Sequence, residues 1–261
     1  DTLHMNTATN TELYLAANTL EVSGKLRAFT GADGAIPGTS SNALPNANFI
    51  SGLPGGKVKI IGAARNITNS GEWGANPQNW VVEFALDAGT ISTVSTGFKA
   101  GDITIASGTV ILNSGMRADS AIAGTGTMTI KNGAALRVGG TAQNLQRVNT
   151  GSATSHFRTF TLENGGTLEF ANTVGAIGAA EINLLGTVTY TSTAAQTLVT
   201  KGANTAGADP GTYNNLTLQA SAKTLGLNTT VNGTLSMRTT ATLAPSLALG
   251  AFTLTYGPAA V

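Results

Sequence analysis

The chain has 261 residues and a formal net charge of +1, with 33 glycines, no cysteine, 10% charged residues and 5% aromatic residues. Balanced, scattered charge of this kind does not attract nucleic acid or anionic membranes, and a chain without cysteine has no disulfide, thiol catalysis or cysteine-based metal site. No apolar run approaches the roughly 20 residues that a membrane-spanning helix needs, so we expect no membrane insertion.

The N-terminal residues alternate apolar and polar side chains, which predicts short β-strands. Leu3 and Met5 fall on one face of residues 1–11, which we interpret as an extended N-terminal arm. Leu13 and Leu15 then begin a Leu-x-Leu cadence of strands and small turns. Both pairs of side chains are therefore candidates for strand pairing at this end of the chain.

Four segments rich in Gly, Pro, Ser and Asn interrupt the strand pattern, and we predict loop excursions there. Long loops usually carry function when they are ordered. Trp73 lies inside the second excursion and Trp80 directly follows it, so these two rings are the candidate ligand-facing side chains for a glycan or a receptor. The same rings would otherwise serve only to anchor the loop. The excursions are residues 30–56, 64–79, 141–157 and 202–212.

Between the excursions, runs of four to six residues end at Gly or at Asn-Gly, as in Asn132-Gly133, Asn164-Gly165 and Asn232-Gly233. These pairs accept the positive φ that tight corners demand. A β-sandwich would use the same turns and remains the alternative. Asn, Thr and Ala at repeating places favour a parallel β-helix instead. At roughly 20 to 25 residues per coil, we expect about eight to ten coils in one elongated domain that spans residues 1–261.

Residues 213–257 repeat one short pattern, reading YNNLTL, then TLGLNTTVNGTLSM, then LALGAFTLTYG. This stretch resembles a tandem repeat of large secreted bacterial surface proteins, and residues 12–26 resemble it loosely. The resemblance implies a β-helical rod of the adhesin or surface-filament type, located outside the cell or at its surface. The start at Asp1, without a basic and apolar leader, agrees with a secreted form whose signal peptide has been removed.

Motifs for catalysis and for metal binding are weak. His4 and His156 are far apart in the sequence, whereas a metal site or histidine-dependent catalysis needs convergent groups. Asp102, Arg117 and Asp119 come nearest to the charged cluster of a polysaccharide lyase or glycosidase, and we interpret them as a solvated surface. We therefore predict a protein that is not an enzyme and that needs no cofactor.

The ends of the predicted solenoid carry the functional prediction. An uncapped solenoid leaves unpaired backbone groups and an open core, and no amphipathic capping helix is predicted at either end. The last 80 residues contain only four charged side chains, so they offer little repulsion to a neighbour. We predict a structural subunit that pairs with copies of itself, head to tail, in a surface filament. The candidate assembly residues are Leu3, Met5, Leu13, Leu15, Phe252, Leu254 and Tyr256.

Two other functions remain open from the sequence. A monomeric adhesin would use the rod only to display the excursions, with Trp73 and Trp80 binding surface glycans or cell receptors. A polysaccharide lyase or hydrolase would need catalytic carboxylates that the sequence does not reveal. Pro258 speaks against assembly, because it ends the strand ladder near the C terminus.

Overall fold

The computed structural model of the chain describes residues 3–6, 13–14, 18–23, 26–29, 50–51, 57–64, 66–67, 81–94, 98–113, 116–118, 126–139, 145, 157–173, 176–198, 201, 210–240 and 242–258. All regular secondary structure in these ranges is β-strand, and all strand pairs are parallel. The predicted all-β fold of the parallel β-helix type is confirmed. The β-sandwich alternative fails, because its neighbouring strands would be joined by antiparallel hairpins.

The strands are short, with two to six residues each. The first nine are β1 (Leu3–Asn6), β2 (Leu13–Tyr14), β3 (Thr19–Val22), β4 (Leu26–Phe29), β5 (Ile50–Ser51), β6 (Lys57–Gly62), β7 (Asn66–Ile67), β8 (Val81–Leu86) and β9 (Ile91–Val94). The next nine are β10 (Phe98–Ala100), β11 (Asp102–Ser107), β12 (Thr109–Leu112), β13 (Met116–Ala118), β14 (Thr127–Ile130), β15 (Ala135–Val138), β16 (Phe157–Leu162), β17 (Thr167–Phe170) and β18 (Ala179–Leu184). The last nine are β19 (Thr187–Tyr190), β20 (Gln196–Leu198), β21 (Thr212–Tyr213), β22 (Asn215–Gln219), β23 (Ala222–Leu225), β24 (Thr229–Val231), β25 (Leu235–Arg238), β26 (Ser246–Ala248) and β27 (Leu254–Tyr256).

Two long sheets form two sides of the fold. Sheet 1 joins seven strands in the order β3-β6-β8-β11-β14-β16-β18, and sheet 2 joins eight in the order β7-β9-β12-β15-β17-β19-β22-β25. Strands that follow sheet 2 along the chain form a third side, in the sheets β10-β13 and β20-β23-β26. The chain thus passes from sheet 1 to sheet 2 to the third side and returns one strand further along sheet 1.

The short sheets at the two ends keep the same order of sides. After β3, the strands β4 and β5 take the places of a sheet 2 strand and a third-side strand, and they pair with β1 and β2. Near the C terminus, β21 and β24 each precede a sheet 2 strand, and they form one sheet with β27. The first described strand, β1, therefore lies on the side of the fold that sheet 2 forms, and the last, β27, lies on the side that sheet 1 forms.

Inward-facing side chains stack into columns along the axis of the fold. Val82, Phe84 and Leu86 point inward from β8 while the residues between them are half-buried. The parallel register places Phe84 between Ile60 and Ile105, and all three are fully buried. Because each coil repeats this alternation, the core is a series of thin layers of Val, Ile, Leu, Met and Phe.

The predicted Asn-Gly corners have two different physical reasons. Gly133 and Gly165 have φ angles of 75° and 81°, which glycine adopts without steric cost. Gly233 needs space instead, because a Cβ at this position would lie 2.6 Å from the side-chain oxygen of Asn215 in the preceding coil.

The predicted excursions contain more regular structure than the sequence pattern indicates. β5 lies within residues 30–56 and β7 within residues 64–79, while β16 begins at Phe157 and β21 at Thr212. Leu145, inside the third excursion, is fully buried. A strand of two residues has no detectable periodicity, so the sequence pattern does not reveal β5 and β7, which are defined by pairing with a neighbouring coil.

Gly186 lies at a corner where two coils approach closely. A Cβ there would collide with the carbonyl oxygens of Gly166 and Glu163, and the Gly166 oxygen is held at 3.0 Å by the backbone N–H of Thr187. We expect Gly186→Ala to lower the free energy of unfolding by about 3 kcal/mol, the upper end of the usual cost of overpacking, because both colliding atoms are backbone oxygens. The measurement is urea denaturation followed by circular dichroism.

Gly89→Ala is the matched control for this corner. A Cβ at Gly89 meets nothing within 4 Å, although its φ is +76°, so only the backbone cost of about 1 to 2 kcal/mol should apply. A cost for Gly186→Ala that does not exceed the cost for Gly89→Ala would contradict the steric explanation.

Candidate assembly surface

Three edge strands form the C-terminal end of the described fold. β25, β26 and β27 each end the order of their sheet, pairing on one side with β22, β23 and β24. Their other edges meet no strand among the described residues. Edge strands of this kind present a row of backbone donors and acceptors that can pair with another strand.

The inward positions of these strands form an incomplete core layer. Register places Met237 above Leu218 and Tyr256 above Val231. Leu218 and Val231 are fully buried, whereas Met237 is 48% exposed and Tyr256 is 57% exposed. The difference arises because a coil covers the lower pair and none of the described residues covers the upper pair. We call the inward-facing side chains of these three strands the C-terminal layer, which consists of Leu235, Met237, Leu247, Leu254 and Tyr256.

Further exposed large apolar side chains lie in the segments that connect the three end strands. Leu243, Leu249 and Phe252 are 39%, 43% and 38% exposed. Together with Met237 and Tyr256 they make up five of the seven exposed large hydrophobic residues among those described. Such concentration of exposed apolar surface at one place is characteristic of an interaction site.

Charge is nearly absent from this end. Residues 210–258 contain no Asp or Glu, and Lys223 and Arg238 are their only charged side chains. Arg238 is exposed at the end of β25, whereas Lys223 is fully buried one strand below Leu247. A neighbouring apolar surface would therefore meet little charge that must lose its water.

The C-terminal residues predicted for assembly lie at this surface. Leu254 and Tyr256 are on β27, and Phe252 precedes that strand. The sequence prediction did not include Leu235, Met237 or Leu247. The alternation within LSMR and SLAL signals these positions only once the register with the preceding coil is known.

The N-terminal residues predicted for assembly lie apart from the C-terminal ones. Leu3 and Met5 are on β1, which pairs with β4 in the register Leu3 to Leu26, so residues 3–6 are a strand of the chain's own ladder and not a free arm. Leu13 is on β2, which pairs with β5. Leu15 lies outside the described residues, as do Trp73 and Trp80, the candidate ligand-facing side chains.

Two ion pairs join the first three strands of sheet 1, near the N-terminal end. Lys59 Nζ on β6 lies 2.8 Å from Glu21 Oε1 on β3. Lys57 Nζ, also on β6, lies 2.6 Å from Glu83 Oε2 on β8. The hydrogen bond to Glu21 and the charge of its carboxylate raise the pKa of Lys59. The N-terminal end thus carries a carboxylate on an edge strand, unlike the C-terminal end.

Lys223 is the most unusual side chain next to the C-terminal layer. Lys223 is 0% exposed to solvent. Its Nζ donates hydrogen bonds to the Ser192 carbonyl oxygen at 3.1 Å and to Ser221 Oγ at 2.9 Å, and neither acceptor is a carboxylate. Burial lowers its pKa from 10.5 to about 8. Its place two residues before Leu225, which is also buried, is the sequence signal that this lysine points inward.

A buried polar column continues from Lys223 into the preceding coil. Register places Lys223 above Gln196, which is also buried. Gln196 Nε2 donates to the carbonyl oxygens of Phe170 and Asn172, and Gln196 Oε1 accepts from the Ser192 backbone N–H. The acceptors around the lysine and below it are therefore neutral, so they offer no counter-charge to the ammonium group.

The residues considered for catalysis and metal binding do not converge in the described parts of the fold. Asp102 Oδ1 accepts hydrogen bonds from the backbone N–H and the hydroxyl of Thr127, at 2.8 and 2.7 Å, which links two coils. Asp119 and His156 lie outside the described residues, and the side chains of His4 and Arg117 are not among those described. Within the described ranges, no three His, Cys, Asp or Glu side chains are grouped as metal ligands.

Comparisons with known proteins add no relative. No family model matches the chain, and searches of curated proteins and of solved structures find no match. Among the described residues there is also no helix with the length and hydropathy to cross a membrane.

Proposed function

We propose that the protein is a non-enzymatic structural subunit of an extracellular surface filament, in which copies of the chain stack head to tail. The C-terminal layer of one copy would be covered by the N-terminal strands of the next. The exposed apolar layer on three edge strands is the observation that carries this proposal. Covering that layer removes apolar surface from water at a gain of roughly 25 cal/mol per Å².

The order of sides supports a second copy as the occupant. β27 lies on the side of the fold that sheet 1 forms, and β1 lies on the side that sheet 2 forms, which follows sheet 1 in every coil. In a stacked pair, β1 would pair with β25, β2 with β26 and β3 with β27, so no side would be skipped or doubled. β1 and β25 also have equal lengths of four residues.

The polarity of the fold supports a filament over a closed dimer. All strands are parallel, so the two ends of the rod present different surfaces. A contact between unlike ends is heterologous and repeats without closing, which generates a fibre. The secreted location is part of the same proposal and is supported by the resemblance of residues 213–257 to repeats of secreted surface proteins.

Disulfide trapping tests the proposed contact directly, because the chain has no cysteine of its own. Thr255 on β27 and Glu21 on β3 are both exposed and face outward from the core. Paired parallel strands lie about 4.8 Å apart, which is within the range of Cα separations that a disulfide spans. We expect oxidation of the Thr255→Cys, Glu21→Cys double variant to give a ladder of covalent oligomers on a non-reducing gel.

The control pair replaces Glu21 with a residue in the middle of the rod. Arg158 is exposed on β16, within sheet 1, so a Thr255→Cys, Arg158→Cys variant should give no ladder beyond chance collision. Electron micrographs of the unmodified protein should show fibres. Equal laddering in both variants, or a monomer at every concentration in sedimentation velocity, would reject head-to-tail assembly.

A further inference from the structure

The buried ammonium of Lys223 lies one strand below the C-terminal layer. Lys223 pairs in register with Leu247, a member of that layer, on the adjacent strand β26. It is fully buried, although only β26 separates it from the open end. The corner before it is also unusual, because Ala220 has a φ of 70°, which non-glycine residues seldom adopt.

Among the described residues, no carboxylate lies on a strand that packs against the strand of this ammonium group. The strands packed against β23 are β20 and β26, and neither carries an ionisable side chain. The remaining ionisable side chains among the described residues from 186 onward include no carboxyl group, and they are Tyr190, Lys201, Tyr213, Arg238 and Tyr256. The Tyr190 and Tyr213 hydroxyls lie 3.0 Å apart, and Lys201 donates to the Ala180 carbonyl oxygen.

We propose that Lys223 makes head-to-tail assembly pH-dependent, because its charged form opposes the covering of the C-terminal layer and its neutral form permits it. The proposal rests on the function proposed above. A second copy on Leu247 would move Lys223 further from water, and the cost of burying an unpaired charge grows as water is removed. This free-energy cost applies only to the charged form of the lysine.

The direction of the pH effect follows from proton linkage. In the free subunit the pKa of Lys223 is about 8, and covering lowers it further. The assembled state then binds fewer protons than the free state at pH values just below 8, so assembly strengthens as pH rises through that window. Above the free-subunit pKa the lysine is neutral in both states and the dependence disappears.

The experiment measures the critical concentration for filament formation by sedimentation between pH 6 and pH 9. For the unmodified chain we expect it to fall with rising pH, by a factor approaching tenfold per pH unit where one proton is released per contact, and to level off above about 8. Lys223→Met has a similar volume without the charge, so its profile should lack this fall. Lys223→Gln, which would stack on Gln196, provides a second neutral variant.

Two comparisons isolate the lysine from other titrating groups. Histidine side chains ordinarily titrate in this range, but any contribution of the two histidines of the chain persists in Lys223→Met, so the difference between the two profiles belongs to Lys223. Arg238→Gln removes an exposed charge at the same end and should keep the slope of the unmodified chain.

The outcomes separate this inference from the proposed function. Filaments whose pH profile is the same in the unmodified chain, Lys223→Met and Lys223→Gln would overturn the role of Lys223 and leave head-to-tail assembly standing. Absence of filaments from all variants at every pH would overturn both.

Discussion

Tyr256→Asp should abolish head-to-tail assembly while leaving the subunit folded. Tyr256 continues the buried column of Val231, yet its side chain is 57% exposed at the end of the fold. In the free subunit an aspartate there would remain in water, whereas in the filament it would be buried without a partner. Several kcal/mol of uncompensated burial correspond to a critical concentration raised by at least about 100-fold.

Thr224→Asp is the matched control for this variant. Thr224 is exposed on the outer face of β23 and pairs with Ala248 of the same chain, so the new charge lies one strand away from the contact and stays in water on assembly. Sedimentation velocity and electron microscopy should show fibres for Thr224→Asp and monomers for Tyr256→Asp, with equal circular dichroism spectra. If both variants assemble equally, Tyr256 does not lie in the contact.

Phe160→Ala should produce a large loss of stability, because Phe160 is one of the largest fully buried side chains of the described core. Phe160 is fully buried on β16, stacked in register between Met128 and Ile182. Large-to-small changes of this kind cost about 3 to 5 kcal/mol, and more where the site cannot collapse. The backbone ladders on both sides hold adjacent coils about 4.8 Å apart, so the cavity should persist. Urea denaturation followed by circular dichroism measures the loss.

Thr161→Ala is the neighbouring control on the same strand. Thr161 is half-buried on the outer face, between Thr129 and Asn183. Surface substitutions of this kind usually change stability by about 0.5 kcal/mol or less. A loss for Thr161→Ala as large as that for Phe160→Ala would mean that the stacked apolar column is not the main source of stability.

The sequence pattern identified most of the strands in the second half of the chain. TVTY, TLEF and NLTL alternate apolar and polar residues cleanly, and the inward members Val188, Leu168 and Leu216 are buried in the structure. The apolar C-terminal end was also visible, because Leu254 and Tyr256 alternate with Thr255. Patterns of this kind are local, so they survive without any knowledge of the neighbouring coil.

Other features could not be predicted because they depend on which residues become neighbours. The two-residue strands β5 and β7 exist only through pairing with β2 and β9. The inward position of Lys223 follows from its strand, but its environment of neutral acceptors follows from Ser192, which is 31 residues away along the chain. Likewise, residues 1–11 read as a free arm until pairing of β1 with β4 was known.

By itself the sequence determined that the chain forms short, thin-cored strands separated by tight corners, since periodicity and turn residues act over a few positions. Only the tertiary structure decided which strand lies above which, and therefore that Met237, Leu247 and Tyr256 share one exposed layer above a buried lysine. Register between parallel strands is set by contacts across a whole coil, and no local pattern contains that information.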